Sequence, residues 1–583
     1  ALPRKEDEMK ALARRSGYLR EDGAERFSET LEGHRQAVSA IYGDLFLSRD
    51  KKLKEEVLPE VYFFFDPSAE PDLIKDMLAE RRFEHPDAAY QNLLVLREGP
   101  PKLNLTERGR RTLEKIAPLF LQEVFGAPDP DLALTNLERF LSAIRTRSSF
   151  YALLAENHDI LKLLTSLFGM SEFLSKIFIG HPELLDSMTT RGYAYLQKER
   201  VTMAEELDAL LSGAEDFEEQ LDAMRRYRHE EFLRIGMNDV HGKMKQPEVA
   251  LQLTNLADVC LSAACCLATG QLARFGRPQV KEEDGSLHEA SFAVVAMGKL
   301  GGFELNYHSD LDIIYIYDGQ GMTDGEKSIS NREYFAKLGQ KIIMILTTQT
   351  REGYVYKIDT RLRPSGNAGP LVTSLESFRN YHGSESQIWE RQALTKARVT
   401  YGEAPLKEAI EQVIENAVYG AGADQQVRSE IHRLRMRMEV ELAKETTGSY
   451  NIKTGRGGMV DVEFIVQYLQ LKHGFQHQQI RSCNTLGALE SMRQLAILPE
   501  PDFQALAEGY RFLRRLENRL RIIHDSSMND LGGPLKYLNK LARRLGYDSQ
   551  LKNPGQALMA DYERVTGDVR AVYARILGEE VTP

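Results

Sequence analysis

Cysteine is scarce in this chain and poorly spaced for chemistry. The 583 residues hold four, Cys260, Cys265, Cys266 and Cys483, with no C-x-x-C pair. Zinc knuckles and redox dithiols need that spacing, so neither is expected. Three of the four fall in one apolar helical run, where buried free thiols of a reducing compartment are the simpler reading. Long apolar runs are missing too. No stretch approaches the ~18 residues that a membrane helix requires, and VYFFFD at 61–66 is far too short. The opening ALPRKEDEMK lacks the apolar core of a secretory leader. A cytoplasmic protein with no membrane partner is expected. Basic excess is also absent. Net charge is −11, whereas nucleic-acid binders carry a basic face, so nucleic acid is not expected as a partner. No low-complexity linker interrupts the chain, and its pieces are expected to pack together. What remains is the make-up of a globular protein of several domains, 42% apolar and 28% charged.

One stretch organises the rest, FAVVAMGKLGGFELNYHSDLDIIYIYD at 292–318. It reads as an apolar strand, a glycine turn with one lysine, a polar segment and a second apolar strand. Asp310 and Asp312 stand two apart at the start of that second strand, so both carboxylates point to one face. Two acids amid Leu311, Ile313 and Ile314 are costly to bury unless a cation compensates, which points to metal ligation. The turn at Gly298, Lys299, Gly301 and Gly302 has neither Walker A nor dinucleotide-fold spacing. Its free backbone N–H groups and missing side chains suit a close approach to a polyphosphate. Lys299 is read as facing either solvent or a phosphate, and Ser309 as either a cap or a phosphate ligand. His308 is read as a packing group.

A third carboxylate, Asp359, ends the strand-like run YVYKID and is followed by Arg361 and Arg363 at period two. Three acids, a glycine turn and arginines that fork onto phosphate oxygens fit two-metal nucleotidyl transfer, with Asp310, Asp312 and Asp359 as metal ligands and catalytic groups. Further on, WERQALTKAR at 389–398 carries basic residues that line the same cleft or serve structure. KTGRGGMVDVE at 453–463 is a glycine turn entering a helix whose first turn already holds Asp461 and Glu463, and it is read as structural or as part of a nucleotide pocket.

The two ends of the chain resemble each other. LARRSGY at 12–18 matches LARRLGY at 541–547, and VSAIY at 38–42 matches VRAVY at 569–573. Such self-similarity suggests a duplicated unit, with residues 1–46 as the tail helices of an upstream copy. The expected divisions are then a helical region at 47–240, a catalytic domain at 241–402 and a C-terminal helical bundle at 403–583. Strands are expected at 291–297, 311–318 and 354–359, and helices at 330–349, 459–473, 502–523 and 554–577.

The motifs MGKLGGFELNYHSDLDIIYIYD, YKIDTRLRPSGNAGPLVTSLESFRNYH, WERQALTKARV and IKTGRGGMVDVEFIVQYL cover most of 290–475. They resemble the nucleotidyltransferase superfamily and, in their extended form, the glutamine synthetase adenylyltransferase family. RLRPSG and GGMVDVEF look like the C-terminal, adenylylating half of that family's tandem arrangement. The resemblance implies an α+β, predominantly helical fold, with a small mixed sheet of nucleotidyltransferase type between helical regions. It implies transfer of AMP from ATP to a tyrosine of glutamine synthetase with Mg²⁺, and control by glutamine and the PII signalling protein. Gly298, Lys299, Gly301, Gly302, Ser309, Arg361 and Arg363 would then hold the nucleotide. A uridylyltransferase acting on a PII-type protein and a non-catalytic nucleotide-sensing scaffold are the alternatives.

Overall fold

The computed structural model describes residues 59–98, 107–144, 158–184 and 197–578, less 282–284, 421, 447 and 549–550, with isolated residues at 9–34 and 151–154. The repeated segment at 38–42 lies outside the described residues, and that at 12–18 is only partly within them. The C-terminal counterparts fall at the end of helix Leu535–Arg544 and inside helix Pro554–Ile576.

The fold is α+β and predominantly helical. Its centre is a five-stranded mixed sheet of β1 (Phe292–Ala296), β2 (Leu311–Tyr317), β3 (Ile358–Asp359), β4 (Val372–Ser374) and β5 (Arg398–Tyr401). β1 runs antiparallel to both β2 and β5, while β3 and β4 pair in parallel with β2. The strand expected at 354–359 shortens to its last two residues, and β5 was not anticipated. Register pairs Ala296 with Ile313 and, across the parallel pair, Asp312 with Asp359.

Alternation along the two central strands divides the molecule. Val294, Ala296, Ile313 and Tyr315 face one core, whereas Ala293, Val295, Ile314 and Ile316 face another. The first core also holds residues of α1 (Gln246–Gly270) and α2 (Asn331–Thr347), and extends back to Val61. The second holds residues of α3 (Ile388–Ala393) among its partly buried members. It also takes in α4 (Gln425–Met438), α5 (Met459–His473) and α6 (Glu500–His524). A period of two puts Asp312 on the face of Ile314 and Ile316, toward the second core. The sheet is thus a wall between two helical bodies, with its acids on the C-terminal side.

α1 corrects one expectation. It is long and apolar enough to cross a membrane by length and composition. Here it is a core helix, with Leu253, Leu256, Cys260 and Cys265 fully buried. Buried Gln252 and Asp258 find partners in Arg234 and Arg398. Cys266 on the same helix is exposed rather than buried.

Candidate active site

Between the acid-bearing face of the sheet and the C-terminal helices lies a cavity of about 840 Å³. Gly298, Asp310, Asp312 and Asp359 line its sheet side, and Lys453, Glu463, Phe464 and Gln467 its helical side. Asp310 precedes β2 and is exposed, while Asp312 inside the strand is half-buried. Neither carboxylate has a hydrogen-bond or ion-pair partner among the described residues. Burial, then the neighbouring Asp359 and Asp310, push the Asp312 carboxyl up to about 6, against the pull of Lys453. Gly298 is required beside it. Its φ is +53°, and a Cβ there would lie 2.8 Å from Asp312 Oδ2.

Asp359 is held differently. Arg361 folds back on it, its Nε donating to Oδ1 and Oδ2 at 3.0 and 2.9 Å, and its backbone N–H donating to Oδ1 at 2.9 Å. The hydrogen bonds from Arg361 keep the Asp359 carboxyl below the usual carboxylate range despite partial burial. Among the described residues no three His, Cys, Asp or Glu side chains form a ready metal cluster. The donors nevertheless fit a hard divalent cation: all are carboxylate oxygens, two of them unpaired, and one retains its proton abnormally because it is buried beside the other two. Release of Asp359 by Arg361 would complete the set.

Behind the acids sits a buried charge network that reaches into α6. Glu517 is fully buried and accepts from Lys299 Nζ at 2.6 Å, Arg514 at 2.7 Å and the amide of Asn306. Arg521, 2.8 Å from Glu517, also donates to the carbonyl of Tyr307 and to Ser309 Oγ. Burial alone would raise the Glu517 carboxyl; the three cations overcome it and hold it far below the usual range. Burial drives Lys299 the other way, well below an ordinary lysine. A second pair, Lys396 with Glu304 at 2.6 Å, is tied to Tyr510 of α6. One helix of the C-terminal body thereby fixes the segment that leads to Asp310.

Residues 161–413 match the family model for glutamate-ammonia ligase adenylyltransferase, and residues 425–577 that for GlnD PII-uridylyltransferase. The bifunctional glutamine synthetase adenylyltransferase/adenylyl-removing enzyme of Thioalkalivibrio sulfidiphilus is 33% identical over 543 residues, 91% of this chain and 56% of that relative. Its namesake in Pseudomonas putida is 33% identical over 471 residues, 78% and 48% of the two chains. The chain belongs to the glutamate-ammonia ligase adenylyltransferase family. It spans about half the length of the curated relatives it matches.

Within this adenylyltransferase-family chain the site residues expected from sequence separate into two groups. Asp310, Asp312, Asp359, Gly298, Lys299, Ser309 and Arg361 all line the cavity, and so does His308. Of these, Lys299 is already paired with Glu517, and His308 packs edge-on against Phe173 at 4.2 Å with its proton affinity lowered to about 4 by burial. Gly301, Gly302 and Arg363 are not among the lining residues. The turn expected to present free N–H groups is a four-residue helix, Gly298–Gly301, in which Gly301 and Gly302 donate to the carbonyls of Met297 and Gly298. A Cβ on Gly301 would fall 1.8 Å from the Lys396 carbonyl oxygen, so that glycine serves close backbone packing. Arg363 donates to the carbonyls of Thr360, Gly369 and Pro370 and shapes its own loop.

Lys453 was missed. Each other lysine or arginine lining the cavity has a carboxylate partner: Lys299, Arg361, Lys396, Arg437 and Arg521. Lys453 is the one without, among the described residues. Its backbone is fixed by Asn451 Oδ1 and by the pairing of Ser449–Asn451 with Asp530–Gly532. The available signal was a lysine directly before TGRGG, a turn whose Gly457 has φ +72° and room for no Cβ against Thr566 O.

Proposed function

We propose that this chain transfers AMP from ATP to a tyrosine hydroxyl of glutamine synthetase, releasing pyrophosphate, and works in the cytoplasm under control by glutamine and the PII signalling protein. The observation that carries the reading is the convergence of Asp310, Asp312 and Asp359 on a nucleotide-sized cavity in a chain of this family. Asp310 and Asp312, with Asp359 once freed, would hold divalent cations, with Mg²⁺ the natural choice for carboxylates that also face phosphates. Bound there, two such ions would polarise the α-phosphate and offset the charge on the leaving pyrophosphate. Lys453 would meet the polyphosphate, since among the described residues it has no carboxylate partner to surrender. Arg361, 73% exposed at its side chain, would swing from Asp359 to the phosphates. That motion frees Asp359 to accept the phenol proton, which an unperturbed tyrosine holds up to a pKa of about 10. The tyrosine oxygen then bonds to the α-phosphorus as the α–β P–O bond breaks. Gly298 leaves Asp312 the space to turn toward the ligand.

The match of residues 425–577 to the PII-uridylyltransferase family favours a second reading, UMP transfer to a PII-type protein. One experiment separates them. The chain is incubated with Mg²⁺ and either glutamine synthetase and labelled ATP or PII protein and labelled UTP, with and without glutamine. Label on a glutamine synthetase tyrosine is expected, and its loss in Asp310→Asn. Label from UTP alone, or retained transfer by Asp310→Asn, overturns the proposal; nucleotide binding with no transfer to either protein indicates a sensing scaffold.

A further inference from the structure

The lining of the cavity is chemically mixed: besides the acids and Lys453 it includes Leu434, Met438, Leu442, Val460, Phe464 and Trp389. A pair of side-chain amides meets in its wall. Gln392 on α3 donates from Nε2 to Oε1 of Gln467 on α5 at 2.7 Å, and both residues are more than nine-tenths buried. Each amide has an aromatic ring three residues before it: Trp389 precedes Gln392 and Phe464 precedes Gln467. That spacing puts ring and amide on the same helix face, and all four residues line the cavity.

The bond between the two amides uses one donor and one acceptor. Each glutamine amide carries two N–H groups and two oxygen lone pairs, so the pair keeps both lone pairs of Gln392 Oε1 and both N–H groups of Gln467 Nε2, besides one N–H on Gln392 and one lone pair on Gln467. Neither has a further hydrogen-bond partner among the described residues. Donors and acceptors side by side, with two aromatic rings lining the same cavity, are complementary to a planar heteroaromatic ring with a donor–acceptor edge. We infer that Gln392 and Gln467 read the hydrogen-bonding edge of the nucleotide's base, that Trp389 and Phe464 stack on it, and that this amide pair selects adenine. Adenine offers a donor and an acceptor that match Gln392 Oε1 and Gln467 Nε2; guanine offers them in the reverse order and sets like against like at those two atoms. The inference rests on the nucleotidyl-transfer reading and deepens it by naming the residues that choose the base.

Trp389 is the chain's single tryptophan and is 39% exposed, so it reports on this subsite directly. Full-length protein with Mg²⁺ is titrated with ATP, GTP and inorganic tripolyphosphate while tryptophan emission is followed. ATP is expected to change the emission and tripolyphosphate to leave it unchanged. An equal response to both, or no response to ATP from protein that transfers AMP, overturns the inference. Gln467→Leu and Gln467→Glu are then compared with wild type for the ratio of ATP to GTP affinity. Gln467→Glu still accepts from Gln392 and so guards against simple loss of the wall. The ratio is expected to fall about tenfold or more in both, because the unmatched edge is left without its partner. An unchanged ratio in Gln467→Glu overturns the assignment while leaving AMP transfer intact. Failure of wild type to bind ATP or transfer AMP refutes the enzymatic reading itself.

Discussion

Replacing Asp312 by asparagine is expected to stabilise the protein while abolishing its activity. The carboxyl of Asp312 retains its proton to about 6 in the fold, because it is partly buried beside Asp359 and Asp310. In the unfolded chain the same group titrates near 4. Between those values the native state binds more protons than the unfolded one, so stability falls as pH rises through the window. Above about pH 6 the full cost is present. A displacement of that size corresponds to about 3 kcal/mol, and access of water to a half-buried group reduces it to about 1–3 kcal/mol. Asparagine removes the charge at nearly constant volume, and Asp312 makes no side-chain hydrogen bond among the described residues that would be lost. Urea titrations followed by circular dichroism in EDTA should show the variant more stable by that amount at pH 7.5. The gain should vanish near pH 4, where wild type is also uncharged. Adding Mg²⁺ should narrow the gap at pH 7.5, since ligand binding to the native state stabilises wild type more. A variant no more stable than wild type at pH 7.5 in EDTA would refute the picture of crowded, uncompensated acids.

Two further outcomes follow from the charges around the site. Glu517→Gln removes the shared partner of Lys299, Arg514 and Arg521. Breaking a buried pair costs about 3–5 kcal/mol, and the retained amide oxygen keeps the loss near the lower end. Because the folded Glu517 carboxyl lies far below its unfolded value, its stabilisation is already complete above the ordinary carboxylate pKa. The deficit should be present at pH 6 by urea titration and ease as pH rises, because Lys299, already well below an ordinary lysine and no longer held by Glu517, can give up its proton; a negligible deficit at pH 6 would count against the network. Lys453→Met should raise the KM for ATP about ten- to hundredfold, the worth of one charge-assisted hydrogen bond. Its urea midpoint should shift only slightly, because among the described residues that lysine has no ion-pair partner to lose and only its longer-range pull on Asp312 goes; an unchanged KM would remove Lys453 from the phosphate site.

Much of the site was legible because strands and helices advertise themselves by period. The runs at 292–296 and 311–317 are apolar with acids at fixed offsets, and α5 begins and ends at 459 and 473 as its pattern implies. Alternation along β2 alone put the second acid on one face, and the short distance in sequence to Gly298 kept the glycine with it. Partnership over long sequence separations was not legible. Lys299 reads as a phosphate ligand until α6, more than two hundred residues downstream, supplies Glu517. Gly301 reads as a phosphate cradle until the backbone of Lys396 is found against it, and Arg361 as a phosphate fork until it turns back onto Asp359. The sequence by itself determined the two central strands, the acids and the single face that the first two share, since these depend on local backbone geometry and nearest neighbours. Only the tertiary structure decided which cation is paired and which is left for a ligand, because that choice is made by Coulombic partners and steric contacts brought together from distant regions of the chain.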